Sequence, residues 1–352
     1  SLQECESGLR SGTLSVPQNA FVLGQEQDSY GGSFSSSQSF EGLMDELKIY
    51  NRTLSASDAS AIYTNEQAGN NFDGSSRTAQ VCEPETLEPW ADLRFDETDW
   101  NGASGEVKDS SGHGNHGSIV DIVNGNNSSG NVTNIADGKI CRAGHIGDNN
   151  SSSDIYAIDS GVDLNDLGAQ HTVSFWYRPT DAWNDGLTRL LMDASGTTGT
   201  KIYYYLAKEG DSKVEFGLEN TSDGDYRQKS STSFNFAAGT WIHFAATMDN
   251  TTNRMKAYVN GVKVVERSTS GTLGDIFSLY LGDNRSSYIA GPGTGRSANG
   301  DFDELLIFNK TLSDAQIASI YSNQDNEKNW DGSDRECATG STVDHYGISA
   351  PA

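Results

Sequence analysis

Apolar and polar residues alternate along much of the chain. Ala91, Leu93 and Phe95 are apolar, and Asp92, Arg94 and Asp96 between and after them are charged. That period of two marks a β-strand with one wet face, because successive side chains leave a strand on opposite sides. Val173, Phe175 and Tyr177 repeat the pattern. Met255 to Val265 holds two such runs around Asn260-Gly261. Asn and Gly both tolerate the positive φ of a two-residue type I′ turn, so the spacing predicts a hairpin. Tyr203-Tyr204-Tyr205 reads as a strand run, half core and half surface. Helical periodicity appears after Ser313, where Gln316 completes a capping box and Ile317, Ile320 and Tyr321 fall on one face. Ser55, Ile62 and Tyr63 repeat it. Such a helix is expected to pack over one end of a sandwich. Many short apolar runs joined by polar, glycine-rich turns predict an all-β, antiparallel β-sandwich with one short helix per copy.

The word copy rests on an internal repeat. An offset of 258 places Leu23-Gly24 on Leu281-Gly282, Tyr30 on Tyr288 and Asp45-Glu46-Leu47 on Asp303-Glu304-Leu305. It runs without a gap to Arg77 and Arg335, with 22 identities in 55 positions. Two copies of one domain type follow. The expected organisation is the C-terminal third of a first domain at 1–83, a complete domain at 84–340 and a linker to a following domain at 341–352. A third of a sandwich leaves an apolar face and sheet edges open. The first piece is therefore expected to lean on upstream strands or on another chain.

Trp241-x-His243-x-Ala245-x-Thr247, Tyr258-Val259-Asn260-Gly261 and Phe302-Asp303-Glu304-Leu305, with Leu312-Ser313 beyond, together resemble the laminin-G-like (concanavalin A-like) jelly rolls of bacterial surface proteins. Leu93-Arg94-Phe95-Asp96-Glu97 followed by Asp109-Ser110-Ser111-Gly112 looks like that family's first strand and turn. A second resemblance, carried by Ser341 to Ile348, is to the lead-in of a further domain in MshQ-type proteins of the MSHA type IV pilus system. Together these imply an extracellular adhesive or ligand-binding module on the surface of a Gram-negative bacterium, with a glycan or a cell-surface protein as partner.

Charge narrows the partners. Asp and Glu number 49 against 24 Lys and Arg, a net charge of -25, which repels nucleic acid and anionic lipid and attracts hard cations. No apolar run is long enough to span a membrane, and no export signal opens the sequence, so targeting is expected to lie outside it. Calcium is the expected cofactor. Asp96, Asp109, Asp303 and its counterpart Asp45 sit at turn or strand positions where such jelly rolls gather carboxylates, the competing reading being that they cap turns. His113 and His116 have H-x-x-H spacing in a glycine-rich turn that does not aim both rings at a zinc ion. The four cysteines lack a CxxC pair and point to structural disulfides made in an oxidising compartment. Cys141 with Cys337 would tie the ends of the complete domain, which leaves Cys5 for Cys82.

Aromatic faces in polar loops can stack on sugar rings while neighbouring charges fix the hydroxyls. Trp183 with Asp185, Tyr226 with Asp225, and Arg285 with Tyr288 are the expected ligand-binding residues. Catalysis is not expected. Glu215 and Glu219 have the i, i+4 spacing of a glycoside hydrolase pair, but Gly217 stands where that pattern has its middle acid, and no nucleophile elbow occurs. The competing function is an architectural spacer.

Overall fold

The computed structural model describes residues 23, 27–29, 32–34, 44, 46–76, 87–121, 126–127, 130, 132–147, 156–194, 204–219, 224–270, 276, 278–282 and 298–337. The chain divides into two compact units, Ser1–Cys82 and Glu83–Ala352.

The first unit holds the antiparallel pair β1 (Gln27–Ser29) and β2 (Gly32–Phe34) and the helix α1 (Ala56–Gln67). Ser55 caps the helix: its hydroxyl accepts from Asp58 N at 3.1 Å while Asp58 accepts from Ser55 N at 2.9 Å, so two otherwise orphaned N–H groups are satisfied together. Beyond the helix, Asn65 Nδ2 donates to Phe72 O at 3.1 Å.

The second unit is a two-layer sandwich. In chain order its strands are β3 (Ala91–Leu93), β4 (Ser118–Asp121), β5 (Asn126–Asn127), β6 (Val132–Ile135), β7 (Ala143–Ile146), β8 (Tyr156–Asp163), β9 (Gln170–Pro179), β10 (Arg189–Asp193), β11 (Tyr204–Lys208), β12 (Val214–Glu219), β13 (Asp225–Lys229), β14 (Ile242–Asp249), β15 (Arg254–Val259), β16 (Val262–Ser268), β17 (Ser278–Leu281) and β18 (Gly300–Phe308). One sheet runs β13-β12-β11-β10-β17-β8-β4-β5 and the other β16-β15-β14-β9-β18-β7-β6, with β3 also on β18. All pairs are antiparallel. The core between the sheets is made by alternate residues, among them Val173, Phe175 and Tyr177 of β9, Phe244 of β14, Phe302, Leu305 and Ile307 of β18, and Leu206 and Phe216 opposite.

Two sequence expectations shift. The polar residues of β9 between the core positions, Thr172 and Ser174, are as buried as the apolar ones. The cause is the helix α2 (Asp314–Asp325), which lies on the outer face of the second sheet rather than over an end of the sandwich: Ile317 and Ile320 pack on Ala245, Tyr258, Leu306, Phe308 and Leu312. The Asn260-Gly261 turn has the predicted geometry, φ 47° and 75°, and explains one more requirement. A Cβ on Gly261 would fall 3.0 Å from the Tyr321 ring and 3.2 Å from Ala318 Cα, so the helix docks where only glycine fits. Cys141 and Cys337 form a disulfide with Cα atoms 5.4 Å apart. Cys5 and Cys82 lie outside the described residues.

Candidate ligand-binding face

The carboxylates expected to hold calcium are engaged within the fold. Asp109 Oδ1 accepts from Asp92 N at 3.0 Å and Ser111 N at 2.9 Å, and its Oδ2 from Ser111 Oγ at 2.8 Å and Asn115 N at 2.9 Å, the turn-capping role of a short acidic side chain. Asp303 is fully buried on a bulge of β18, where the register slips between Asp303 and Leu306 and Glu304 adopts φ 53°. It accepts from Ile140 N at 2.9 Å. The cation beside these acids is a guanidinium: Arg335 Nη2 donates to Asp96 Oδ2 at 2.5 Å and Glu304 Oε1 at 2.9 Å, and Arg94 Nε donates to Asp92 Oδ2 at 2.8 Å. Burial pushes Asp303 and Glu304 well above the usual carboxylate range, with neighbouring acids adding to the effect and Arg335 opposing it. Among the described residues no group of three or more His, Cys, Asp or Glu side chains is arranged to hold a metal ion. Asp45 lies outside the described residues.

The expected ligand residues separate. Trp183 differs from its expected exposed place: it is 1% exposed, stacks on Phe244 at 5.7 Å, and donates from Nε1 to Ser212 O at 2.9 Å. Its loop is pinned by ion pairs, with Asp185 binding Lys208 and Arg189, and Arg189 also reaching Asp181. Tyr226 sits near the far end of β12 and β13 from this loop, opposite Leu218. It ties the edges of the two sheets, its hydroxyl 2.5 Å from Ser270 Oγ and its ring under Arg267 at 5.4 Å. Arg285 and Tyr288 lie outside the described residues.

Among the described residues, neither of two catalytic arrangements has the geometry it needs. A Cβ at Gly217 would fall 2.5 Å from the Tyr205 ring, so the middle acid of a hydrolase pattern has no room. The Tyr205 hydroxyl bonds Glu215. A Ser–His pair does exist, Ser174 Oγ and His243 Nε2 at 2.8 Å, but both residues are fully buried and His243 Nδ1 has no hydrogen-bond partner. Burial drives the imidazole down to about 3, so it is neutral and out of reach of a substrate.

What remains is a sheet face. The outer surface of the second sheet is plugged by α2, whereas among the described residues no helix packs on the outer surface of the first. Register places Arg227 beside Gly217, Gly217 beside Tyr205, Tyr205 beside Asp193, Asp193 beside Tyr280 and Tyr280 beside Asp159. Neighbouring strands lie ~4.8 Å apart, so this is one continuous polar and aromatic row. Arg227 is exposed and holds Asp225, two residues along the same face, at 2.7 Å; Glu215 and Lys229 form the adjacent row. Tyr205, Asp193 and Tyr280 form a buried floor, at most 8% exposed. Sequence reasoning missed the row because it is assembled by cross-strand register from six separate strands. Among the described residues, only Asp225 on this face was one of the expected ligands. Gly217 between two glutamates was the one signal that a large ring crosses there.

Residues 150–318 match the profile of the concanavalin A-like lectin/glucanases superfamily, Laminin_G_3. The second unit has the laminin-G-like jelly-roll fold. Residues 3–80, in the first unit, match the pentaxin family. Among curated proteins the chain is similar to the Female protein of Nothocricetulus migratorius, 40% identical over 58 residues that cover 16% of this chain and 25% of that protein. It is similar to human serum amyloid P-component, 49% identical over 49 residues, 14% of this chain and 22% of that one. The chain thus spans about a quarter or less of these relatives. Among solved structures it is similar to domain 4 of AbnA, an extracellular arabinanase from Geobacillus stearothermophilus, solved with arabinotriose. That match has 21% identity and a TM-score of 0.46, and covers 66% of this chain and 97% of that domain. No described helix of the laminin-G-like unit is long and apolar enough to cross a membrane.

Proposed function

We propose that the chain is an extracellular ligand-binding module that recognises a glycan through the outer face of the β13-to-β5 sheet. The observation that carries the reading is the asymmetry of the two outer faces: one is sealed by α2, and the other carries the Arg227–Tyr205–Asp193–Tyr280–Asp159 row with Glu215 and Asp225 beside it. Carboxylates and a guanidinium can bond sugar hydroxyls, and a tyrosine floor keeps the site apolar beneath them. Net charge disfavours nucleic acid as the ligand. The resemblance at Ser341 to Ile348 supports a place at the surface of a Gram-negative bacterium, in a pilus-associated protein.

A glycan array probed with the full chain, with and without calcium, tests the reading. Hits that weaken on Arg227→Ala and Glu215→Gln support it, and silence across the array overturns it in favour of an architectural spacer. The low exposure of Tyr205, Asp193 and Tyr280 is the observation that favours the spacer. Calcium enters only as a stabiliser: hits or Tm unchanged by chelation would remove it from the reading.

A further inference from the structure

The first unit displays the residues that the second unit buries. Met44, Leu47 and Ile49 are 52%, 57% and 75% exposed. Their counterparts at the 258 offset are Phe302, Leu305 and Ile307 of β18, all fully buried in the core between the sheets. The other side of the segment already has packing partners within the unit. Lys48 pairs with Glu46 and with Glu66 of α1, and Tyr50 meets Phe72 edge-on at 6.3 Å, as Phe308 meets Trp330 at 5.8 Å. The backbone agrees: Glu46 has φ 55° where Glu304 has 53°.

The helix shows what else is uncovered. Tyr63 is 65% exposed, whereas its counterpart Tyr321 stacks on Trp176 of β9 at 5.7 Å. The surfaces left open are those that β9, β3 and the facing sheet cover in the second unit. Three large apolar side chains on one face exceed what single surface hydrophobics explain.

We propose that residues 44–76 are a closing strand and helix, and that their apolar face docks into an open laminin-G-like sandwich. The occupant supplies strands flanking residues 46–50, an apolar facing sheet over Met44, Leu47 and Ile49, and an outward aromatic side chain that stacks on Tyr63. The docking is strand addition, in which main-chain bonds give affinity and alternate side chains give specificity. Residues 84–299 of a second copy do not serve, because β18 of that copy already fills the gap.

The test is a chimera of the full chain in which residues 302–325 are replaced by residues 44–67. It is expected to unfold cooperatively, with Tm lowered by less than about 10 °C, and to lose the cooperative transition when Leu47→Asp and Ile49→Asp are added. Because Lys48 and Glu66 stand where Leu306 and Gln324 are buried, the chimera is also made with Lys48→Leu and Glu66→Gln. No cooperative transition in that version, or Asp variants that melt like their parent, overturns the proposal. So does a dimer of the native chain that dissociates on Leu47→Asp, since the occupant would then be a second copy.

Discussion

Replacing Arg335 with Met should destabilise the laminin-G-like unit, and more so at pH 8 than at pH 5. Arg335 is 3% exposed in its side chain and bonds Asp96 and Glu304, the latter 1% exposed. Removing one partner of a buried pair leaves an uncompensated charge, at a cost of about 3–5 kcal/mol. The sign with pH follows from the acids. Burial already raises Asp96 and Glu304 above their usual range, and Arg335 is the strongest of the groups that oppose the rise. A carboxyl whose folded value lies above its unfolded value contributes stability below the unfolded value and loses it as pH rises through the folded one. Without Arg335 the folded values climb further, so the decline steepens by at most about 1.4 kcal/mol per pH unit for each proton. Urea unfolding of parent and variant at both pH values, with the disulfide intact, measures this. A variant as stable as its parent at pH 8, or equally damaged at both, refutes the reasoning. Arg335→Lys should recover only part, since a point charge cannot serve two carboxylates and Asn329 Oδ1 as the planar fork does.

Three further outcomes are expected. Cys337→Ser opens a loop with a sequence separation of 196, worth roughly 5 kcal/mol in the chain-entropy model; urea unfolding checks it, and a loss below ~1 kcal/mol would refute the estimate. Trp183→Ala should cost about 3–5 kcal/mol as a core truncation yet leave glycan affinity of the folded fraction unchanged, so a selective affinity loss would restore it as a ligand contact. Gly217→Ala should cost about 1–3 kcal/mol by overpacking against Tyr205 and weaken any glycan binding by moving that ring; thermal melts and binding isotherms read the two effects.

The sandwich was legible because its signals are local. Alternation at Val173, Phe175 and Tyr177, the Asn260-Gly261 turn and the Ser313–Gln316 box each fix a conformation within a few residues. The Cys141–Cys337 bridge was legible too, since the cysteines flank one domain. Trp183 was misread because a tryptophan among Asp, Asn and Gly looks solvated, whereas the ion pairs of Asp185 with Lys208 and Arg189 fold that loop down over Phe244. Burial of Asp92 and Ser174 was invisible for another reason: Arg335, which acts on Asp92, and His243, which bonds Ser174, are both remote in sequence.

The Asp-Glu-Leu motif illustrates how a conspicuous acidic signal can be architecture. It stands in both units, with its glutamate in the left-handed region each time, a conformation that costs a non-glycine residue free energy and persists only where surroundings enforce it. In the second unit Glu304 is held by Arg335 and by Gln324, which also accepts from Trp176 Nε1. In the first unit the position of Leu306 is Lys48 and that of Gln324 is Glu66, and these two pair with each other while Lys48 also holds Glu46. An apolar residue and an amide have been exchanged for a cation and an acid, and the bulge stays. A device rebuilt with different partners around an unchanged backbone is serving the fold.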